Sequence, residues 1–199
     1  TKEQIIEPLV KEGIKFISMG LISDEKMPVI WRGPMVSGAV MQLLSQTDWG
    51  NLDYLIVDTP PGTGDVQLTL LQRIPLTSSV VVTTPQEVSI SDCKKGIEMI
   101  NKLGLPVSGL IENMSWFKPD KEGRKYYLFG KDGGKKLADE YSLDLLGQLP
   151  LIELEENKNL MENEVLKIEF SSIADKLEKS VKNLKEKKSD GIPQVNISK

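Results

Sequence analysis

The chain has 199 residues, 39% hydrophobic and 27% charged, with a formal net charge of −4. That is enough for one α/β domain with a real core, and too acidic to live on phosphate-backbone contacts, so no nucleic acid is expected as a partner. One cysteine, Cys93, and no histidine exclude an intrachain disulfide framework, the usual Cys/His zinc sites and any mechanism with a histidine base, and fit a reducing, cytoplasmic setting.

Along the chain, the N-terminal TKEQIIEPLVKEG is charged and has no signal-peptide core. Its first residue is Thr rather than Met, which points to a processed, trimmed or longer polypeptide. No apolar run approaches the roughly 20 residues of a membrane span. Short apolar runs then alternate with helical patterns. Strands are expected at 14–20, 54–58, 78–85, 106–114 and 143–150, and helices at 35–46, 65–73, 89–103 and 131–141. Several of the apolar runs are continuous rather than alternating, as strands covered on both faces should be. The expected class is therefore α/β, a mostly parallel sheet flanked by helices. For the helix at 89–103, Ser89 or Ser91 reads as the N-cap, and Gly104 followed by Pro106 as the stop. After Pro150 the texture turns acidic and aperiodic. Residues 170, 173, 177, 181 and 184 then form one apolar stripe on a helix over 170–188 with a charged back, a terminal helix docked on the domain rather than a membrane-seated one. The expected organisation is a main domain over 1–151, a helical segment over 152–188 packed on it, and a fraying tail over 189–199.

The chemistry concentrates in DYLIVDTPPGTGD (53–65). An apolar strand ends on Asp58, a Pro/Gly turn follows, and a helix begins near Asp65. Open α/β sheets bind ligands outside the carboxyl ends of their strands. A carboxylate there suits a hard cation, and Mg²⁺ carried with a nucleotide phosphate is the natural guest. Pro60 and Pro61 stiffen the exit, while Gly62 and Gly64 allow main-chain N–H groups to approach a terminal phosphate. The alternative for Asp58 is an N-cap of the next helix.

LDYLIVDTPPGTGDVQLTL resembles the Mrp/ApbC family of deviant-Walker P-loop ATPases, relatives of MinD and ParA. The likeness continues in VIWRGPM (29–35), VVTTPQEVSISDCKKGIEM (81–99), GLIENMSWF (109–117), FGKDGGKKLADE (129–140) and LLGQLPL (145–151), in family order. The resemblance implies a P-loop NTPase fold and an ATP-dependent carrier in iron–sulfur cluster assembly, forming a homodimer and serving apo iron–sulfur proteins or assembly factors. It implies that Asp58 helps hold Mg²⁺ through water and that Pro60, Pro61, Gly62, Thr63, Gly64 and Asp65 form the loop that senses the γ-phosphate. Asp65 is equally readable as a helix-capping acid. Asn113 matches the residue that reads the adenine edge, for which an amide offers both a donor and an acceptor; a satisfied turn asparagine is the other reading. Pro150 and Leu151 match a main-chain wall around the base. Arg32 is a candidate for phosphate or partner contact or for a structural ion pair, Trp31 for packing, and Gln86 for polar lining of the pocket.

Two departures stand out. No G-x-x-x-x-G-K-[ST] run is present, because Gly130-Lys131 and Gly134-Lys135 are not followed by Ser or Thr. Related chains carry that loop upstream, so the expectation is a domain truncated before it, with poor ATP binding by itself. The family's C-x-x-C after ENMS, which across two subunits would ligate a [4Fe–4S] cluster, is replaced by WFKPDKEGRKYYLFG. Cys93, at a helix start, reads as a small buried residue. The missing motif motivates the alternative of a MinD/ParA-like positioning or regulatory ATPase.

Overall fold

The computed structural model describes residues 5–22, 33–59, 64–119, 123–153 and 162–189. By contacts the chain divides into Thr1–Pro75 and Leu76–Lys199.

In the first unit, strands β1 (Leu9–Lys11) and β2 (Ile14–Phe16) form an antiparallel hairpin. The run 14–20 was expected in the parallel sheet and is not there. Glu12 and Gly13 both take positive φ, 53° and 79°, the two-residue turn whose twist folds a strand back on its predecessor. The chain then enters a short helix α1 (Met19–Ile22). Helix α2 (Gly33–Gln46) buries Ser37 and Leu43. The Trp49 indole donates to Leu44 O at 3.1 Å, and Lys15 Nζ to Trp49 O at 2.6 Å, fastening the end of α2 to the hairpin. Helix α3 (Asp65–Arg73) packs on α2 and buries Leu70 to 1% exposure.

The expected strand at 54–58 does not form either. Residues 54–59 are in no regular element, and Tyr54, Leu55 and Ile56 are exposed, Ile56 to 88%. A strand exists only through its ladder, and among the described residues no strand lies in a sheet with this run.

The second unit carries the parallel sheet. Strands β3 (Ser79–Thr83), β4 (Val107–Glu112) and β5 (Leu145–Gln148) lie in the order β3-β4-β5, all parallel. Helices α4 (Glu87–Lys102) and α5 (Gly133–Glu140) make the crossovers, and α6 (Glu164–Ser189) follows β5. Successive β4 residues point to opposite faces. Ile111 joins a cluster with Leu146, Leu149, Leu166, Ile173 and Leu177 under α6. Leu110 and Glu112 face the side of α4 and α5, where Ile97, Ile100, Leu137 and Ala138 are buried. The architecture is α/β, with a parallel sheet between helical layers. Two side chains tether α6 to strand carbonyls: Lys176 Nζ to Leu146 O at 2.8 Å and Ser180 Oγ to Ser108 O at 3.0 Å.

Helix α4 starts two residues before the expected position. Ser89 does not cap it; its hydroxyl turns back to β3, where it accepts from Thr84 N at 3.1 Å and meets Thr83 Oγ1 at 3.1 Å. The stop is as expected. Gly104 takes φ +68°, its N–H reaches Asn101 O at 3.0 Å, and Leu105 N reaches Ile100 O at 3.2 Å, a left-handed cap that favours glycine. Helix α6 begins at Glu164 rather than 170, because Asn163 Oδ1 accepts from Val165 N and Leu166 N at 3.1 and 3.2 Å, satisfying two orphan donors of the first turn. Among the described residues no helix is long and apolar enough to cross a membrane.

Leu110 is fully buried between β4 and the α4/α5 layer. Leu110→Ala should therefore lower the unfolding free energy by about 3 kcal/mol, seen as an earlier urea midpoint with an unchanged slope.

Candidate functional site

The carboxyl ends of β3, β4 and β5 form one rim, and the ladder does not stop at the strands. Asn113 N donates to Thr83 O at 2.7 Å, Leu149 N to Glu112 O at 2.8 Å, Ser115 N to Leu149 O at 2.9 Å and Leu151 N to Trp116 O at 2.8 Å. These bonds bring Asn113 beside Thr83 and lay the Leu149–Leu151 segment along residues 115–117. Pro150 is buried and Leu151 half-buried. Because Leu149 and Leu151 have already given up their N–H groups, and proline has none, this wall has carbonyls and side chains to offer rather than donors.

Asn113 is half-buried, and its Oδ1 accepts the N–H of Met114 at 2.9 Å. Met114 adopts φ +54°. Two lone pairs on an amide oxygen leave one free, and both Nδ2 protons remain, so a donor–acceptor pair is available to a ligand edge. Thr84 Oγ1 is buried on the same rim without a hydrogen-bond partner, an unused polar group of the kind a bound polar molecule satisfies. Gln86 is exposed and is the N-cap residue of α4.

Beneath the rim lies a feature the sequence did not announce as a site. Glu112 is 0% exposed. Its Oε1 accepts from Ser115 Oγ at 2.6 Å and from Gln148 Nε2 at 2.8 Å, and its Oε2 accepts the N–H of Gly134 in the first turn of α5. A buried carboxylate is tolerable only when charge-assisted donors surround it, and a helix N-terminus supplies both donor and dipole. The paired glycines of FGKDGGKK make the approach possible. A Cβ on Gly134 would fall 2.9 Å from Glu112 Cβ, and one on Gly133 would run into Pro85 O and lie 2.6 Å from Ile90 Cδ1. The available signal was Glu112 itself, the one charge in the apolar run 106–114, together with two glycines opening a helix.

In the first unit, Asp58 is exposed and Thr59 half-buried. Gln67 of α3 points its Nε2 at Thr59 Oγ1, 3.4 Å away, while its Oε1 is buried without a partner. Exposed carboxylate, hydroxyl and orphan amide oxygen are all hard oxygen donors, a set that fits Mg²⁺ held directly or through water. Gly64 is the N-cap residue of α3 with φ −79° and ψ 178°, extended backbone open to any residue, and nothing lies within 4 Å of a Cβ placed there. Asp65 opens α3; its side chain, with Trp31, Arg32, Pro60, Pro61, Gly62 and Thr63, lies outside the described residues.

The segment after Ser115, where the resemblance puts paired cysteines, is built from cations on rings. Lys125 Nζ sits 3.9 Å from the Trp116 ring centre, and Arg124 and Lys131 lie 5.0 Å from those of Tyr126 and Tyr127. Phe117 and Tyr126 bridge antiparallel, with N–H···O bonds of 2.8 and 2.7 Å. Cys93 is half-buried, and its thiol donates to Val82 O at 3.4 Å. Among the described residues no group of three or more Cys, His, Asp or Glu could hold a metal ion. With one cysteine in the sequence, the described donors do not fit an iron–sulfur cluster. Away from the rim, Lys94 and Glu140 join α4 to α5 at 2.7 Å, and that hydrogen bond raises the pKa of the Lys94 ammonium.

The family model described as ParA, NUBPL iron-transfer P-loop NTPase, matches residues 1–185. The chain is 52% identical over 149 residues to an iron–sulfur cluster carrier protein of Synechocystis sp., covering 74% of this chain and 42% of that protein. It is 50% identical over 147 residues to the iron–sulfur cluster transfer protein NUBPL of Mus musculus, covering 74% and 46%. The chain spans about half the length of the curated relatives it matches. Among solved structures, a nucleotide-binding protein of Archaeoglobus fulgidus in complex with ADP aligns with a TM-score of 0.63 and 29% identity, over 86% of this chain and 63% of that one.

Proposed function

We propose, from the premise that this chain belongs to the ParA family of NUBPL-type iron-transfer P-loop NTPases, that it is part of an ATP-binding protein acting in iron–sulfur cluster transfer. The observation that carries this is the match over residues 1–185 together with about half identity to relatives named as cluster carriers or transfer proteins. Those names favour transfer over the alternative of a positioning or regulatory ATPase.

In this reading the phosphate loop comes from polypeptide outside these 199 residues, and the run 54–58 gains a partner strand when that polypeptide is present. The exposed edge of the run and its uninterrupted apolar character support this. Asp58, with Thr59 and Gln67 beside it, holds Mg²⁺. Residues 60–65 sense the terminal phosphate, with Asp65 at the head of α3. Asn113 reads the adenine edge with the free face of its amide, and the Pro150–Leu151 wall covers the base. Arg32 contacts phosphate or partner. Mg²⁺ bound with ATP supplies charge neutralisation at the transferring phosphoryl group; the chain's residues supply orientation and exclusion of water. The protein works as a homodimer on apo iron–sulfur proteins or assembly factors, hydrolysing ATP to change its grip on them.

The cluster is cargo here. Cys93 is engaged with Val82 O, and no second cysteine exists to chelate beside it, so the reading gives this chain no cluster-ligating thiolate. An anaerobic assay of the longer protein with a loaded cluster donor and an apo-acceptor tests the reading. Transfer should rise with Mg²⁺–ATP, and Cys93→Ser should transfer as well as the parent. Transfer indifferent to ATP would defeat the reading, and loss of transfer in Cys93→Ser would defeat its cargo assignment.

A further inference from the structure

We propose that Glu112 is a positioning residue for purine selectivity: with Ser115 it holds the Met114 N–H against Asn113 Oδ1, and so fixes which end of the Asn113 amide meets a base. This rests on the reading of Asn113 as the adenine contact.

An asparagine amide is ambiguous by nature. Turned one way it presents an acceptor to the 6-amino group of adenine and a donor to a ring nitrogen; turned by half a revolution it suits the 6-oxo group of inosine or guanine. The reading therefore needs something that forbids the turn. Met114 provides it. Its N–H is an obligate donor and lies 2.9 Å from Asn113 Oδ1. A reversed amide would set NH₂ against N–H, so the oxygen stays where it is.

The peptide plane that presents this N–H lies in a turn where Met114 takes the left-handed conformation, φ +54°, which residues with a β-carbon rarely adopt. The turn must be held from outside, and both of its ends are. Ser115 Oγ reaches Glu112 O at 3.0 Å and Glu112 Oε1 at 2.6 Å, closing Glu112–Ser115 into a loop. Ser115 N is tied to Leu149 O at 2.9 Å and Asn113 N to Thr83 O at 2.7 Å. The Glu112 carboxylate is itself immobile, fixed by Gln148 Nε2 and by Gly134 N at the head of α5. Glu112 and Ser115 are 0% and 1% exposed, while Met114 is 37% exposed. The buried pair thus anchors a turn whose exposed part carries the reading amide. A leucine at 112 would fill the space without fixing the turn.

The experiment uses the longer protein with its phosphate loop. Calorimetric Kd values are measured for Mg²⁺–ATP and Mg²⁺–ITP, which differ in the 6-substituent of the purine and in the N1 proton that goes with it, with thermal unfolding recorded for each variant. The parent should prefer ATP by roughly tenfold or more, and Asn113→Ala should bring the ratio close to one. Ser115→Ala and Glu112→Gln should each lower the ratio by roughly threefold or more, and Ser115→Thr, which keeps the hydroxyl, should preserve it. A purely structural role would weaken both nucleotides alike and leave the ratio unmoved. If Asn113→Ala collapses the ratio while folded Ser115→Ala and Glu112→Gln retain it, the positioning role is wrong and the adenine reading stands. If the parent shows no preference, or Asn113→Ala keeps one, the adenine reading fails and takes the positioning role with it.

Discussion

Replacing Glu112 by alanine should cost about 4 kcal/mol of stability, from the combined loss of three hydrogen bonds to a charged acceptor and the burial of their abandoned donors. Ser115 can turn its hydroxyl elsewhere, but the Gly134 N–H and the Gln148 amide converge on the carboxylate from α5 and β5 and lose that acceptor. Glutamine at the same position should cost less than half as much. Its amide oxygen can face Gly134 and its NH₂ can meet a flipped Gln148 oxygen, while the Ser115 hydroxyl loses the side-chain acceptor that tied the turn. The pair of variants thus separates lost connectivity from lost charge. Urea denaturation followed by far-UV circular dichroism reads both, and equal losses for alanine and glutamine would show that the negative charge, not the pattern of donors, carries the network. For comparison, surface pairs such as Lys95–Asp92, at 3.1 Å with both side chains more than half exposed, should contribute well under 1 kcal/mol.

The second large effect concerns Asp58. In the longer protein, Asp58→Ala should reduce steady-state ATP hydrolysis by roughly 10²-fold or more, since in the proposed site its carboxylate supplies negative charge, next to Thr59, for the metal that neutralises phosphate charge. Thermal unfolding should hardly move, because Asp58 is exposed and anchors no described hydrogen bond that its removal would break. The combination, a lost rate with a kept fold, distinguishes a metal-holding acid from a helix cap, whose loss shows first in stability. An Asp58→Ala enzyme that turns over at the parent rate would return Asp58 to a structural role.

Local signals were legible in the sequence and distant ones were not. Helix α3 spans 65–73 as its pattern indicated, and Gly104 stops α4 through the left-handed cap that its position implied. Strands β3, β4 and β5 lie inside the apolar runs assigned to them, since a continuous apolar stretch between turn residues needs both faces covered. Residues 14–20 and 54–58 failed for opposite reasons. The first is decided by two positive-φ residues, Glu12 and Gly13, that apolar counting ignores. The second is decided by the absence of a pairing strand among the described residues, which no property of the run itself encodes. At the rim, Asn113 was singled out because its motif names it. Glu112 was passed over because its partners lie 22 and 36 residues away, at Gly134 and Gln148, and only the fold brings them together. Ser89 shows the same limit at short range: a serine ahead of a helix looks like a cap, and here it serves the preceding strand.

Titration calorimetry of ATP into the longer protein, with Mg²⁺ present and then chelated, bears most directly on the proposed site. The parent should bind about 10²-fold more tightly with the metal than without it, and Asp58→Ala should bind equally weakly in both conditions. Tight binding by Asp58→Ala that still responds to Mg²⁺, or a parent indifferent to the metal, would contradict the account.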